Sequence, residues 1–522
     1  MKALKHSLNN RSKFLQKTGG LENKTIGYSF LSKITGQQYI QGAQVSQQLM
    51  STVELAEEIT ALNFEQLARD DIEQIQRLIL DYSAVTLCGS VQPWGRMLTA
   101  WARQNGNGNS FLIGSGSSAS ASVAGMVNGT SAHGYELDDT HDKSMSHPGT
   151  VVISAALAVG NELNASGKDI MIAIVAGYEA MARVGMAANP LKVIEFGRHP
   201  TCLFGPFGAT AAAAHLIGMD SAKLAKAWGL ALSMASGANQ FAFEPKGTMV
   251  KRMHGGIPAQ NGVTAAQLAN IGVEGPIEAL EGGFGFFHLF GLDPKPELLS
   301  KSANEAYEVH NISIKPYSCC RKFHSLIDAL RDATDGFTLD LDTIDRITVK
   351  SPETAIGQHQ MRRPDSVMAA QYSMPYIVGA TLAYGPTRYD AFDLDHHDDK
   401  RILDIVDRVE AKHDAELDAF VPAKMPNRVE LHMRNGTTRS AEVMDSRGTP
   451  VHPLSTDGVL DKARALCETV DPDIDLNAIV NTIDQLTNCY DVSDLTTLLT
   501  VPSFEEGMKN GCYGATAQST VT

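Results

Sequence analysis

From Val53 onward, apolar positions recur every three or four residues, at Leu55, Ile59, Leu62, Leu67, Ile72, Ile75, Leu78 and Ile79. That spacing predicts an amphipathic helix pair. Between Ala119 and Leu289, Ala/Gly-rich apolar stretches alternate with short polar loops, as in VVISAALAVGNELNASGKDIMIAIVAGYEAMARVGMA. Small residues let helices approach closely, so a buried all-α bundle is predicted here. At about residue 310 the period changes. IDRITVK (344 to 350) alternates like a strand, and RVELHMRNGTTRSAEVM (428 to 444) reads as two strands joined at Asn435-Gly436. VLDKARALCETV and NAIVNTIDQL then resume helical patterning. The expected fold is mainly α with an α+β insertion. A large all-α helical domain comprises 51–309 and a return segment over 448–500, and a smaller α/β lid domain occupies 310–447. An N-terminal extension (1–50) and a C-terminal tail (501–522) flank these parts.

Length and composition narrow the function classes. A chain of 522 residues can bury a large core and is expected to form two domains. A net charge of -15 argues against nucleic-acid binding, which needs a basic surface to displace phosphate counterions. No apolar run of 18 or more residues is apparent, so no membrane-spanning segment is expected. Seven cysteines without a C-x-x-C pair suggest a reducing compartment. The first residues carry Lys2, Lys5, Arg11, Lys13 and Lys17 before the first acid, Glu22. This permits a mitochondrial presequence, although a disordered extension is preferred, and the expected location is cytoplasmic. GSGSSASAS (114 to 122) lacks P-loop and GxGxxG spacing and reads as a loop and helix start.

The densest chemistry lies in ELDDTHDKSMSHPG, residues 136 to 149. Asp138 and Asp139 are adjacent, so on a helix they would point about 100° apart and could not form one clamp. One is expected to face a pocket while the other caps a turn; the plainer reading of the pair is a solvated loop. His141 and His147 follow, and His147-Pro148-Gly149 leads into an apolar helix. GRHPTCLFGPFGA repeats this arrangement with His199-Pro200, suggesting a pocket built from neighbouring helix starts. Lys251, Arg252 and His254 precede a glycine pair, and Lys315 precedes Cys319 and Cys320. Solvated charge clusters are the bland alternative, but a small polyanion bound by an acidic protein needs such a local cationic pocket. Metal binding competes for the Asp/His cluster, yet the spacing matches no H-E-x-x-H or Cys/His pattern. Cysteine nucleophilicity is disfavoured because papain-like context is absent.

At these residues the chain resembles the MmgE/PrpD family, which includes 2-methylcitrate dehydratases, cis-aconitate decarboxylases and iminodisuccinate epimerases. The matching segments are HGYELDDTH...SHPG, GRHPTCLFGPFGA, GTMVKRMHGG..AQNG, EGGFGF, IKPYSCCRKFH and AAQYSMPYIVGATL, over roughly residues 52 to 500. The resemblance implies a homodimer, no metal or organic cofactor, and a site between helical domain and lid. It places Asp138, Asp139, Thr140, His147, His199 and Lys251 in the pocket, with Lys315 and Tyr376 from the lid. Arg252 and His254, next to Lys251 in the chain, are expected to bind substrate together with Lys315 and Tyr376. THDKSMSHP departs from the tryptophan-containing DTWLAAEWGHP of bacterial 2-methylcitrate dehydratases. The leading expectation is a lyase that dehydrates a 2-alkylcitrate to the corresponding aconitate. Histidine 147 or 199 would serve as base or acid, Lys251 and Lys315 would stabilise carboxylate charge, and the acidic pair with Thr140 would orient them. Decarboxylation of cis-aconitate to itaconate, epimerisation of a dicarboxylate, and a non-catalytic citrate-like ligand-binding dimer are the alternatives.

Overall fold

The computed structural model describes residues 50–510, apart from 244–247, 303, 357–359 and 422–423. The targeting and disorder expectations for the basic N-terminal extension therefore lie outside the described residues. The predicted helix pair is present as α1 (Thr52–Ala61) and α2 (Arg69–Ser90). Ser51 starts α1 with a capping box to Glu54, satisfying backbone N–H groups that the first turn leaves unpaired.

After α3 (Pro93–Asn105), the Ala/Gly-rich region folds into α4 (Ala121–Ala132), α5 (Pro148–Leu163), α6 (Gly167–Ala187), α7 (Pro200–Ile217), α8 (Ser221–Met234) and α9 (Val250–Asn270). Helix α9 packs on α4 and α7, and α7 also packs on α5 and α6. The glycine pair explains the closest crossing. A Cβ on Gly255 would sit 2.5 Å from the Gly129 carbonyl oxygen, so α4 and α9 touch backbone to backbone. Helix α6 is long and apolar enough to cross a membrane by composition, contrary to the expectation of no such run. Its window is 94% buried in the protein, and its polar Glu179 and Arg183 have partners, as in a core helix.

GSGSSASAS contributes more than a loop: Ser117–Ala119 (β2) pairs antiparallel with Ser110–Leu112 (β1) before α4 begins. Two further short strands, Thr140–His141 (β3) and Ile312–Ser313 (β4), pair antiparallel and tie the helical part to the chain entering the lid. The lid has its own hydrophobic core, drawn from Tyr317 to Met433. Its helices include α10 (His324–Ala333), α11 (Val367–Tyr372), α12 (Met374–Tyr384) and α13 (Lys400–Val406). Its sheet has the order β6-β5-β7-β8, with β5 (Ile344–Ser351) parallel to β6 (Val409–His413) and antiparallel to β7 (Asn427–Met433). Strands β7 and β8 (Thr438–Val443) form the predicted hairpin, with Gly436 at φ 84° in its turn. This is a left-handed conformation that glycine adopts without steric cost.

The chain then returns to the bundle, where α14 (Thr456–Val470) and α15 (Leu476–Asp484) pack on α2. The first part of the expected tail from 501 packs on the bundle. Val501, Phe504 and Met508 join the helical core, and Arg96 donates to the Phe504 carbonyl at 2.7 Å. Residues 511–522 lie outside the described residues.

Candidate active site

Both His-Pro pairs start helices, α5 and α7, with proline at the first helical turn. The residue before proline is pushed out of the helical region, so each histidine becomes a non-helical N-cap at a helix mouth. Neither side chain caps its helix, leaving both rings free to turn elsewhere. They turn towards each other's neighbourhood: His133 lies 4.8 Å from His147 and 5.9 Å from His199, and His199 lies 4.7 Å from His254, ring to ring. Phe241 stacks edge-on against His199 and His254 at 5.8 and 5.5 Å.

Asp138 organises one half of the cluster. His133 Nδ1 donates to its Oδ2 at 2.7 Å, His147 Nδ1 lies 3.0 Å from the same oxygen, and Lys315 Nζ approaches Oδ1 at 3.4 Å. The position of Lys315 follows from strand register. Thr140 pairs with Ser313 across β3 and β4, which brings Lys315, two residues after β4, to Asp138, two residues before β3. His147 Nδ1 is also 3.0 Å from the Asp139 carbonyl oxygen, which can only accept. The Nδ1 proton is therefore fixed, and Nε2 carries the exchangeable site. The His147 side chain is 15% exposed, whereas His133 is fully enclosed.

Glu136 organises the other half. Lys251 Nζ makes a short ion pair with its Oε1, Arg252 Nη1 donates to Oε1 at 2.8 Å, and Lys315 Nζ lies 3.8 Å from Oε2. The backbone at Glu136 is left-handed, with φ 57°, a strained state for a non-glycine residue. Lid residues complete this side. Gln371 accepts from Arg252 at 2.9 Å and donates to the Tyr135 carbonyl at 3.0 Å, while the Tyr372 hydroxyl donates to Glu136 at 3.3 Å. Three buried cations thus converge with two buried carboxylates and four histidines.

Charge states follow from this packing. Burial opposes ionisation of Asp138 and Glu136, but the lysines, arginine and histidines beside them hold both well below the usual carboxylate range. Burial likewise works against the Lys315 ammonium, yet Asp138 and Glu136 outweigh it and raise its pKa. Burial lowers His133 to about 3 and, with Lys251, His254 to about 4, and it depresses His147 and His199 as well. Among the described residues, His133 Nε2, His199 Nδ1 and His254 Nδ1 are buried and meet no hydrogen-bond partner. Orphaned buried polar atoms are costly, and a polar ligand among them would satisfy them.

Other expected site residues serve elsewhere. Asp139 uses its carboxylate on structure: it accepts the Gly149 N–H at the start of α5 at 2.8 Å and the Tyr178 hydroxyl at 2.6 Å. Burial raises its pKa to about 7. The Thr140 hydroxyl donates to Asp142 at 3.3 Å, so the threonine contributes strand register rather than a pocket hydroxyl. Tyr376 is a correction: its hydroxyl donates to the carbonyls of Ala391 and His396, and its ring packs on Phe392 and His397 inside the lid core. Tyr372, one helical turn earlier, reaches the cluster instead. His141 is bound by Ser144 and Glu308 at 2.8 and 3.0 Å, away from the other histidines. Burial raises the Cys319 and Cys320 thiols, which disfavours a thiolate nucleophile.

His133, Asp138 and His147 bring potential metal-ligand atoms within 4.8 Å of one another. These atoms already meet as hydrogen-bonded pairs, and Lys315 on the other Asp138 oxygen opposes a second cation. Sequence reasoning did not single out His133, Glu136, Phe241, Gln371 or Tyr372. The available signal was charge balance: three buried cations require more carboxylate than Asp138 alone.

Comparison with known proteins places the chain in a family. Residues 53–299 match the MmgE/PrpD N-terminal domain and residues 317–485 the MmgE/PrpD C-terminal domain. The chain is 28% identical to the cis-aconitate decarboxylase-like protein oryM of Aspergillus oryzae, over 86% of this chain and 97% of that protein. It is 26% identical to a cis-aconitate decarboxylase of Aspergillus terreus (84% and 94% covered) and 24% identical to that of Mus musculus (86% and 93%). With both domain models matched in order across the bundle and the lid, this chain belongs to the MmgE/PrpD family.

Proposed function

We propose that the protein is a lyase acting on a small tricarboxylate, and that decarboxylation of cis-aconitate to itaconate is its reaction. The observation that carries the reading is that Lys251, Arg252 and Lys315, paired to Glu136 and Asp138, are buried beside the histidine cluster in a protein of net charge -15. Loss of CO2 from the methylene carboxylate of cis-aconitate leaves an allylic carbanion whose charge spreads to the carbon bearing a remaining carboxylate. Fixed cations at that carboxylate stabilise the developing charge, and protonation at that carbon completes the shift of the double bond. His147 Nε2 is the proton donor in this reading. Burial lowers its pKa in the free protein, with Asp138 opposing, and a bound trianion beside it favours the imidazolium. Asp138 holds the ring through Nδ1, and no step requires redox chemistry.

The full-length similarity to proteins named cis-aconitate decarboxylases favours this reaction over dehydration. Dehydration of a 2-alkylcitrate is the second reading. The same cations would stabilise charge on the carboxylate beside a carbon losing its proton, with a histidine as base. A homodimer in solution is also proposed, and light scattering on the purified chain checks it.

Proton NMR of the protein with cis-aconitate, 2-methylcitrate and a longer 2-alkylcitrate, each in deuterated buffer, tests the function. Itaconate carrying solvent deuterium is the expected product from cis-aconitate. Alkylaconitate formation with no itaconate would replace decarboxylation by dehydration, and binding without turnover of any substrate would reject the lyase reading.

A further inference from the structure

Helix α14 carries a buried stripe of Val459, Lys462, Ala463, Leu466 and Cys467, with a lysine in the middle of otherwise apolar positions. Lys462 is 5% exposed. Its Nζ forms an ion pair with Asp81 Oδ1 at 2.6 Å and donates to the Leu137 carbonyl at 2.7 Å. Asp81 lies on α2, the helix on which α14 packs, and is itself buried. Leu137 is the residue between Glu136 and Asp138, the two carboxylates around which the cations and histidines are arranged.

A buried ion pair is a poor source of net stability. Removing two charges from water costs several kcal/mol per ion, and apolar replacements of similar volume are often neutral or stabilising. Lys462 nevertheless spends one of its donors on a backbone carbonyl in a segment that leaves the left-handed turn at Glu136 and has no regular structure until β3. Asp81 and Asp138 also line one small pocket with Tyr82, Asp139 and Thr150. The pair therefore stands directly behind the carboxylates of the site.

From this geometry we infer that Asp81 and Lys462 are positioning residues, which pin the Leu137 carbonyl and thereby set Glu136 and Asp138 against Lys251, Lys315 and His147. Asp81 orients the ammonium, the ammonium holds the peptide, and neither side chain touches substrate. The inference rests on the proposed lyase reading for its kinetic consequence only, since the pinning of the 137 peptide is independent of which substrate is bound.

The test compares K462M with the double variant D81L/K462M. The double variant removes both charges, leaving no uncompensated ion, so it separates global stability from local positioning. We expect K462M to lower Tm and D81L/K462M to restore it. In both variants hydrogen exchange of residues 134–141 should accelerate, and kcat on the wild type's substrate should fall by about tenfold or more with KM changed far less. Recovery of wild-type exchange and kcat in the double variant would overturn the inference and leave an ordinary buried ion pair. Unchanged exchange in K462M would overturn it as well. If the wild type turns over none of the tricarboxylates, the lyase reading fails while the exchange comparison still decides the positioning role.

Discussion

His147 combines three properties that no other histidine of the cluster has together: a proton fixed on Nδ1 by a carbonyl and a carboxylate, an uncommitted Nε2, and partial exposure. Replacing it with asparagine is expected to reduce turnover by about 10²–10⁴-fold, the range for loss of a positioned acid or base, with circular dichroism unchanged. K315M removes the cation that bridges Asp138 and Glu136. It should lower kcat/KM for a tricarboxylate by about 10²-fold or more, measured by steady-state kinetics. His254 supplies a pH signature of folding. Its folded pKa is about 4, depressed from 6.5 by burial and Lys251, so the unfolded chain binds the extra proton between those values. Its stabilising contribution is complete above pH 6.5 and is lost as pH falls towards about 4. Denaturant titrations at successive pH values should show a shallower acid loss in H254N than in the wild type.

Elements place these residues through two devices. The His-Pro pairs put side chains at the mouths of α5 and α7, and that much was readable from the dipeptide and the apolar run behind it. The second device, the backbone contact between α4 and α9, brings His133 at the end of one helix beside Lys251, Arg252 and His254 on the other. G255A forces a methyl group against the Gly129 carbonyl and the Thr150 hydroxyl, each 2.5 Å from the added carbon. Backbone cannot yield cheaply there. Overpacking of this kind costs about 1–3 kcal/mol or more, visible as a lower denaturation midpoint at unchanged m-value. The Asn435-Gly436 turn and the alternation of β7 were equally legible, because a half-buried strand must alternate. The two-residue strands β3 and β4 were not, since so short a ladder has no period to detect.

Across the whole molecule, two hydrophobic cores meet where the site lies. Tyr389 belongs to the lid by sequence, yet its side chain packs in the helical core, and its hydroxyl donates to the Pro316 carbonyl at 3.3 Å. Tyr135 of the helical part donates in turn to the Tyr389 carbonyl at 3.2 Å and to Asp393. These contacts couple lid to bundle. Calorimetry of the wild type should give one cooperative transition over the two cores, and Y389A, which empties a large buried volume at their junction, should split or broaden it.

The helical bundle, the strand-bearing insertion, the return of the chain, and the histidine, lysine and acidic segments from which a site is assembled are all legible in the amino-acid order. Local periodicity and proline chemistry are enough for those. Tertiary structure alone decided which members of each segment face the pocket. Asp138 and Asp139 are chemically identical in the sequence, but the first faces Lys315 while the second is used at the start of α5. Tyr372 and Tyr376 lie one turn apart on adjoining helices, and only packing sends one to Glu136 and the other into the lid core. Lys462 is buried only because α2 and α14 come together around it. Such choices depend on contacts between residues hundreds of positions apart, and local patterns carry no information about them.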